Sequence, residues 1–204
     1  GWKSPVAYAP IPTHYADVKA RRDSFTTPDK PNAVLLARQN VSLNAADADL
    51  PALSIAVDIL GGDPLKSRLA DRIRQREGLS YGVGAGLRAD DSRVGRDDNG
   101  SLTVQAIAAP ENMGKVETAL REELARFVAD GVTEQELRDA VAARMVQREQ
   151  SRASDGAVAS LLYDLLEYGR TMQFVIDRDA AYKALTVEQV NAAIRKHLKP
   201  EILS

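Results

Sequence analysis

The sequence contains no cysteine and only two histidines, His14 and His197, in 204 residues. Without cysteine there is no disulfide, no thiolate nucleophile and no cysteine-bearing zinc site. The redox compartment stays open, because a chain without thiols suits either one. Two histidines at opposite ends of the chain do not supply the closely spaced ligand pair from which catalytic zinc sites are commonly built. His197 falls among Arg195, Lys196 and Lys199, at the expected end of a helix, where positive charge complements the carbonyl terminus. Both histidines are therefore read as structural. Long apolar runs are missing too. The longest block, Ile55 to Leu60, is broken by Asp58 and falls far short of the roughly 18 residues of a membrane helix. An excess of one charge is also lacking. Lys and Arg number 27 against 29 Asp and Glu, for a formal net charge of -2, which argues against a nucleic-acid binder that relies on a strong basic field.

What is present is ordinary for a globular domain: 44% hydrophobic and 27% charged residues, in a length that suits one good core or two small ones. The first residues, GWKSPVAYAPIPTHY, have no apolar region of a signal peptide. They are dotted with Pro5, Pro10 and Pro12 and read as extended lead-in. There is no initiator methionine, and KPEILS stops where a strand is expected to begin. These ends suggest a fragment of a larger multi-domain chain rather than a small domain with a processed end. Residues 1–20 are expected to be lead-in or linker, and residues 21–204 a single domain.

Along that domain, Phe25 to Thr27 and Ala33 to Arg38 read as strands around the turn PDKPN. VSLNAADADLP reads as a loop whose last carboxylates suit the start of a following helix. Leu50 to Leu60 fits that helix, with Leu53, Ala56, Val57 and Leu60 on one face. Gly61 and Gly62 are expected to end it in a left-handed cap. Pro64 opens the next helix, which runs to about Gln75, buries Leu65, Leu69 and Ile73, and stops at Gly78. Its other face carries Lys66, Arg68, Arg72 and Arg76. YGVGAGL, Tyr81 to Leu87, alternates Gly with larger residues, so one strand face is bare and another backbone can come close. After the polar loop ADDSRVGRDDNG, Ser101 to Ala108 completes a long-looped hairpin. Helices then follow over Glu111 to Asp130, from the capping box Thr133/Glu136 to about Glu149, over Val158 to Tyr168, over Phe174 to Ala184, and from the capping box Thr186/Gln189 to Leu198. Strands first and helices afterwards imply an α+β fold, with helices on one face of a mainly antiparallel sheet.

Several motifs fail on inspection. GVGAG at 82–86 lacks both the Lys-Ser/Thr of a P-loop and the G-x-G-x-x-G spacing. The acidic loop with Asp90, Asp91, Asp97, Asp98 and Asn99 has Gly95 and Gly100, but neither the alternating acidic order nor the final Glu of a calcium loop. No G-x-S-x-G elbow exists for a serine hydrolase. Arg74 and Tyr81 remain. They lie seven residues apart across the Gly78 break, so the chain reversal can present one guanidinium and one phenol at the mouth of a site. Read bare, they are a surface Arg and a half-buried Tyr; read as a pair, they are two donors aimed at a carbonyl or a developing oxyanion.

The segment LGGDPLKSRLADRIRQREGLSYGVGAG resembles the non-catalytic homologous domain of the pitrilysin/insulinase family of zinc metallopeptidases. Leu60-Gly61-Gly62, Ser67-Arg68-Leu69, Arg74 and Gly78-Leu79-Ser80-Tyr81 all match the family pattern. DKPNAVLLARQNVSL before it and GVTEQEL after it resemble the first core strand and a helix start, so the likeness covers roughly residues 20–200. The catalytic domain of that family carries H-x-x-E-H, which this chain lacks. The resemblance implies a domain without metal or general base, with Arg74 and Tyr81 reaching the substrate and the tetrahedral intermediate. It also implies peptide substrates, zinc in a homologous partner domain of the same chain or another subunit, and a chamber that closes for catalysis. Relatives in respiratory complexes keep the fold without peptidase work, so a structural or protein-interaction domain is the alternative. Large bacterial relatives are often exported, which makes the periplasm the expected compartment over the cytoplasm.

Overall fold

The computed structural model describes residues 3–7, 11–90 and 97–202. Three strands form one antiparallel sheet: β1 (Ala33–Ser42), β2 (Gly82–Arg88) and β3 (Asn99–Ala108), in the order β1-β3-β2. Ala37 pairs with Val104, which pairs with Ala85, and this register fixes two faces. One carries Ala37, Val41, Val83, Leu102, Val104 and Ala106, all buried in the core. The other carries Val34, Leu36, Ile107 and the glycines of β2, and Val34 and Leu36 stay exposed. Period-two alternation of this kind follows from the pleat.

Six α-helices follow the chain: α1 (Leu50–Val57), α2 (Met113–Asp130), α3 (Glu134–Gln150), α4 (Asp155–Glu167), α5 (Met172–Lys183) and α6 (Val187–His197). One hydrophobic cluster joins the sheet to α1, α2 and α6, with Phe127, Leu53, Ile55, Leu124 and Ile194 at its centre. The fold is the α+β arrangement expected, with helices on one face of an antiparallel sheet. Both capping boxes form, at Thr133/Glu136 and Thr186/Gln189. Gly78, Gly131 and Gly169 have positive φ of 62, 71 and 63°, where glycine avoids the cost a Cβ would bring.

Several local expectations are corrected. Phe25 to Thr27 is not a strand: Phe25 is exposed and nothing pairs with this stretch. Val41 and Ser42 belong to β1 rather than to a loop. The α1 helix has no single apolar face; Leu50, Pro51, Ala52, Leu53, Ile55, Ala56 and Val57 are all buried, as befits a central helix. Asp49 does not cap α1 through its side chain; its carboxylate turns to Lys196 and His197 instead. Gly61 and Gly62 are not left-handed caps. They lie inside a π-helical turn, Asp58–Gly62, that prolongs α1. Leu65 is exposed, because residues 63–66 make a turn whose Leu65 and Lys66 amides donate to Asp63 Oδ1. Lys199 leads into a single 3-10 turn, Pro200–Ile202.

Asp91 and Gly95 of the acidic loop lie outside the described residues. Of its described part, Asp97 Oδ1 accepts from the Thr13 amide and Asp98 Oδ1 from the Tyr15 amide. These carboxylates tie the lead-in to the start of β3.

Candidate functional site

The site is built by a helix that winds unusually wide. Helical turns begin at Arg68, and Ala70–Arg76 forms a π-helix, a form that recurs at functional positions. Ile73, Leu69 and Ala70 bury one side completely. The end is closed by Gly78: the Leu79 amide reaches back to the Ile73 carbonyl at 2.9 Å, and the Glu77 amide to Arg72 at 3.1 Å. The chain then turns sharply into β2. Ser80 locks that turn. Its buried hydroxyl lies 2.8 Å from both the Gly82 and Ile107 carbonyls and accepts from the Gly82 amide at 3.1 Å. The Tyr81 amide also donates to Ile107, at 2.9 Å.

A backbone contact fixes the other side of this frame. A Cβ on Gly61 would stand 2.5 Å from the Ala85 amide nitrogen, and one on Gly84 would stand 3.3 Å from the Gly61 carbonyl oxygen. The π-helical turn after α1 therefore lies directly against β2. Of the three glycines in β2, only Gly84 meets that neighbour; Gly82 and Gly86 face open space.

The helix carries four arginines, and three are neutralised. Arg68 makes a forked ion pair with Glu136, Nε to Oε1 at 2.7 Å and Nη2 to Oε2 at 2.9 Å, donates to the Gly131 carbonyl, and lies over the Phe127 ring at 5.0 Å. Burial pulls the Arg68 guanidinium down, but Glu136 outweighs it and holds the group above its ordinary range. Burial pushes Glu136 up, and the bonds from Arg68 and Thr133 reverse this and hold it below the usual carboxylate range. Arg72 pairs with Glu77 at 3.0 Å and with Glu122, and Arg76 with Asp71 at 2.7 Å. The expected outer cationic face is thus mostly closed by carboxylates.

Arg74 is different. Its Nη1 donates only to the Pro64 carbonyl, at 3.2 Å, and it has no carboxylate partner among the described residues. Tyr81 is 68% exposed, and its hydroxyl makes no hydrogen bond with the described residues. Arg74 and Tyr81 make neither a hydrogen bond nor a cation–π contact with one another. The structure places them on the two arms of the Gly78 turn, both exposed. Arg68 and Ser80 hold this frame; the sequence marks them only as members of the motifs Ser67-Arg68-Leu69 and Gly78-Leu79-Ser80-Tyr81, with Arg68 on the charged helix face. The sequence carries no sign that Glu136 serves both a cap and Arg68.

His14 is exposed, 3.7 Å from Asp98, and His197 Nε2 lies 2.9 Å from Asp49 Oδ2. Among the described residues no group of three His, Asp or Glu side chains is arranged to hold a metal ion. Among the described residues, no helix is long and apolar enough to cross a membrane.

Comparison with known proteins gives this frame a context. A family profile described as the peptidase M16 inactive domain matches residues 1–144. An uncharacterized zinc protease from Mycobacterium leprae is 38% identical over 87 residues, which cover 43% of this chain and 18% of that protein. The peptidase M16 inactive domain from Pseudomonas fluorescens superposes with a TM-score of 0.72 at 26% identity, covering 84% of this chain and 39% of the other. The periplasmic protease PqqL from Escherichia coli shares the fold, with a TM-score of 0.68 at 21% identity over 96% of this chain and 21% of the other. The chain thus spans well under half the length of these relatives.

Proposed function

The chain belongs to the peptidase M16 family as an inactive domain, and from that premise we propose that it is the substrate-gripping domain of a zinc metalloendopeptidase. It works as one domain, residues 21–204, entered by the lead-in 1–20, within a longer multi-domain protein. The metal and the general base belong to a homologous domain of the same chain or of a partner subunit, and the two close around a peptide. The observation that carries this reading is the state of Arg74. On a helix whose other three arginines are each paired with carboxylates, Arg74 alone keeps its charge for something outside the domain. Tyr81, seven residues on and also exposed, offers a phenol that makes no hydrogen bond with the described residues.

A guanidinium and a phenol can both donate hydrogen bonds to the carbonyl oxygen of a bound peptide. Their contribution grows as negative charge develops on that oxygen, because donors fixed in advance need not reorganise. The frame around them supplies that fixity: Ile73 is buried ahead of Arg74, and Ser80 is knotted to β3 ahead of Tyr81. Exclusion of water on closure would strengthen both bonds.

The test uses the full-length parent enzyme. Tyr81→Phe removes one O–H and keeps the ring, so turnover should fall by about 30- to 1000-fold, or about 2–4 kcal/mol, with an unchanged melting temperature. Arg74→Ala should also weaken use of peptide substrates, by loss of the cation and its fork of donors. Wild-type rates in both variants would leave a structural or protein-interaction domain as the better reading.

A further inference from the structure

The outer surface of α4 carries an apolar stripe that the described residues leave uncovered. Ala159, Leu162, Tyr163 and Leu166 recur at the spacing that marks one face of a helix. All four are exposed, Leu162 by 52%, Tyr163 by 65% and Leu166 by 73%. In a surface helix such a stripe ordinarily faces the core. Here the one residue of α4 buried in the domain is Leu165, which lies outside the stripe. On α5, Met172 and Ile176 stand one turn apart and are exposed as well. Single exposed leucines are ordinary, but a set of this size on neighbouring helices marks a binding surface.

The face is formed before any partner arrives. Ser154 caps the start of α4, its Oγ accepting from the Ala157 amide at 3.3 Å. At the other end Gly169, with φ of 63°, turns the chain so that its own amide and that of Arg170 return to the Leu166 and Leu165 carbonyls at 3.2 and 2.7 Å. A helix fixed at both ends loses little further order on binding.

The border of the stripe is acidic. α4 contains Asp155, Asp164 and Glu167 and no basic residue. All three carboxylates are exposed, and none makes an ion pair among the described residues. On α5 the exposed charges are Asp177, which accepts from Gln173 at 2.8 Å, and Lys183 in the last turn. The arginines nearby are engaged elsewhere: Arg152 with Asp179, Arg178 with the Ala45 carbonyl, and Arg170 over the Phe174 ring.

We infer that the α4 stripe is a docking surface for an amphipathic helix of a partner protein, apolar on one face and bordered by lysine or arginine. Leu162, Tyr163 and Leu166 supply the apolar contact, and Asp155 and Glu167 select the basic border. A second copy of α4 would bring three more carboxylates to the same border, and an anionic membrane would meet the same repulsion. The surface stands independently of the peptidase reading.

Titration of the 204-residue chain with a helical peptide of about fourteen residues, built from leucine, alanine and lysine with the leucines on one face, tests it. The peptide should bind with a Kd below about 100 μM at about 0.15 M salt. A version with glutamate in place of lysine should bind at least about tenfold more weakly. Leu166→Gln should weaken the lysine peptide by about tenfold or more with an unchanged melting temperature, because the side chain touches little of the domain. Glu167→Lys should weaken it by about threefold or more, and its charge suits the end of the helix, so the fold is kept. Absence of binding to the wild-type chain would overturn the surface. So would equal affinity for the glutamate peptide, or undiminished binding in Leu166→Gln. Sedimentation of the chain alone should show a monomer; a dimer that dissociates in Leu166→Gln would make a second copy the occupant and overturn the proposal.

Discussion

Arg68 and Arg74 share one short helix and meet opposite fates. Arg68 turns inward and is forked onto Glu136, while Arg74 stays outside with only a carbonyl beside it. The first is structural and titratable through its partner. Glu136 is held below the usual carboxylate range in the folded state, so it stabilises the fold above its unfolded value near 4.5, and that support is lost as the pH falls through the depressed value. Melting curves of wild type and Glu136→Gln should therefore differ most above pH 4.5 and converge in acid. Equal curves at neutral pH would remove the ion pair from the stability of the domain. Ser80 offers a second check, since its hydroxyl serves two carbonyls and one amide in the interior. Ser80→Ala should cost about 1–3 kcal/mol, read as a shift in urea midpoint. At this scale the sequence was only partly legible. Arg74 and Tyr81 could be singled out by spacing and by resemblance, but the pairing of Arg68 with Glu136 of α3 and of Arg72 with Glu122 of α2 joins residues that meet only in three dimensions.

Elements with local rules were read well. Thr133 and Thr186 announce their helices because a cap is made within four residues, and Gly78 announces an end because its φ is positive. Elements decided by packing were not. Gly61 was taken for a helix cap on composition, whereas its lack of a side chain is needed for contact with β2. Gly61→Ala should therefore destabilise by about 1–3 kcal/mol or more, through overpacking. Adding Ala85→Gly should restore little, because the Ala85 amide nitrogen stays in the path of the new methyl group. Full rescue in the double variant, measured by thermal melts, would show that the methyl of Ala85 and not the backbone sets the limit. Phe25 to Thr27 shows the converse error: three residues with strand propensity find no partner strand, and propensity alone does not order them.

For the molecule as a whole, the arrangement of histidines leads to a direct expectation. The chain should carry well under one equivalent of zinc after dialysis, and alone it should not cleave peptides; a tight one-to-one metal site would overturn that. The overall α+β layering followed from the order of strands and helices, since it depends on pattern more than on any one contact. The shape of the sheet was not legible, because register sets which residues face outward, and a one-residue shift would reverse them. That register leaves Val34 and Leu36 exposed on β1, a strand whose outer edge pairs with no other strand among the described residues. Such an edge is a template for another chain. When the domain is handled by itself, the segment Ala33 to Ala37 is where copies should begin to aggregate, and Leu36→Lys should raise its solubility while leaving the buried face of the strand untouched.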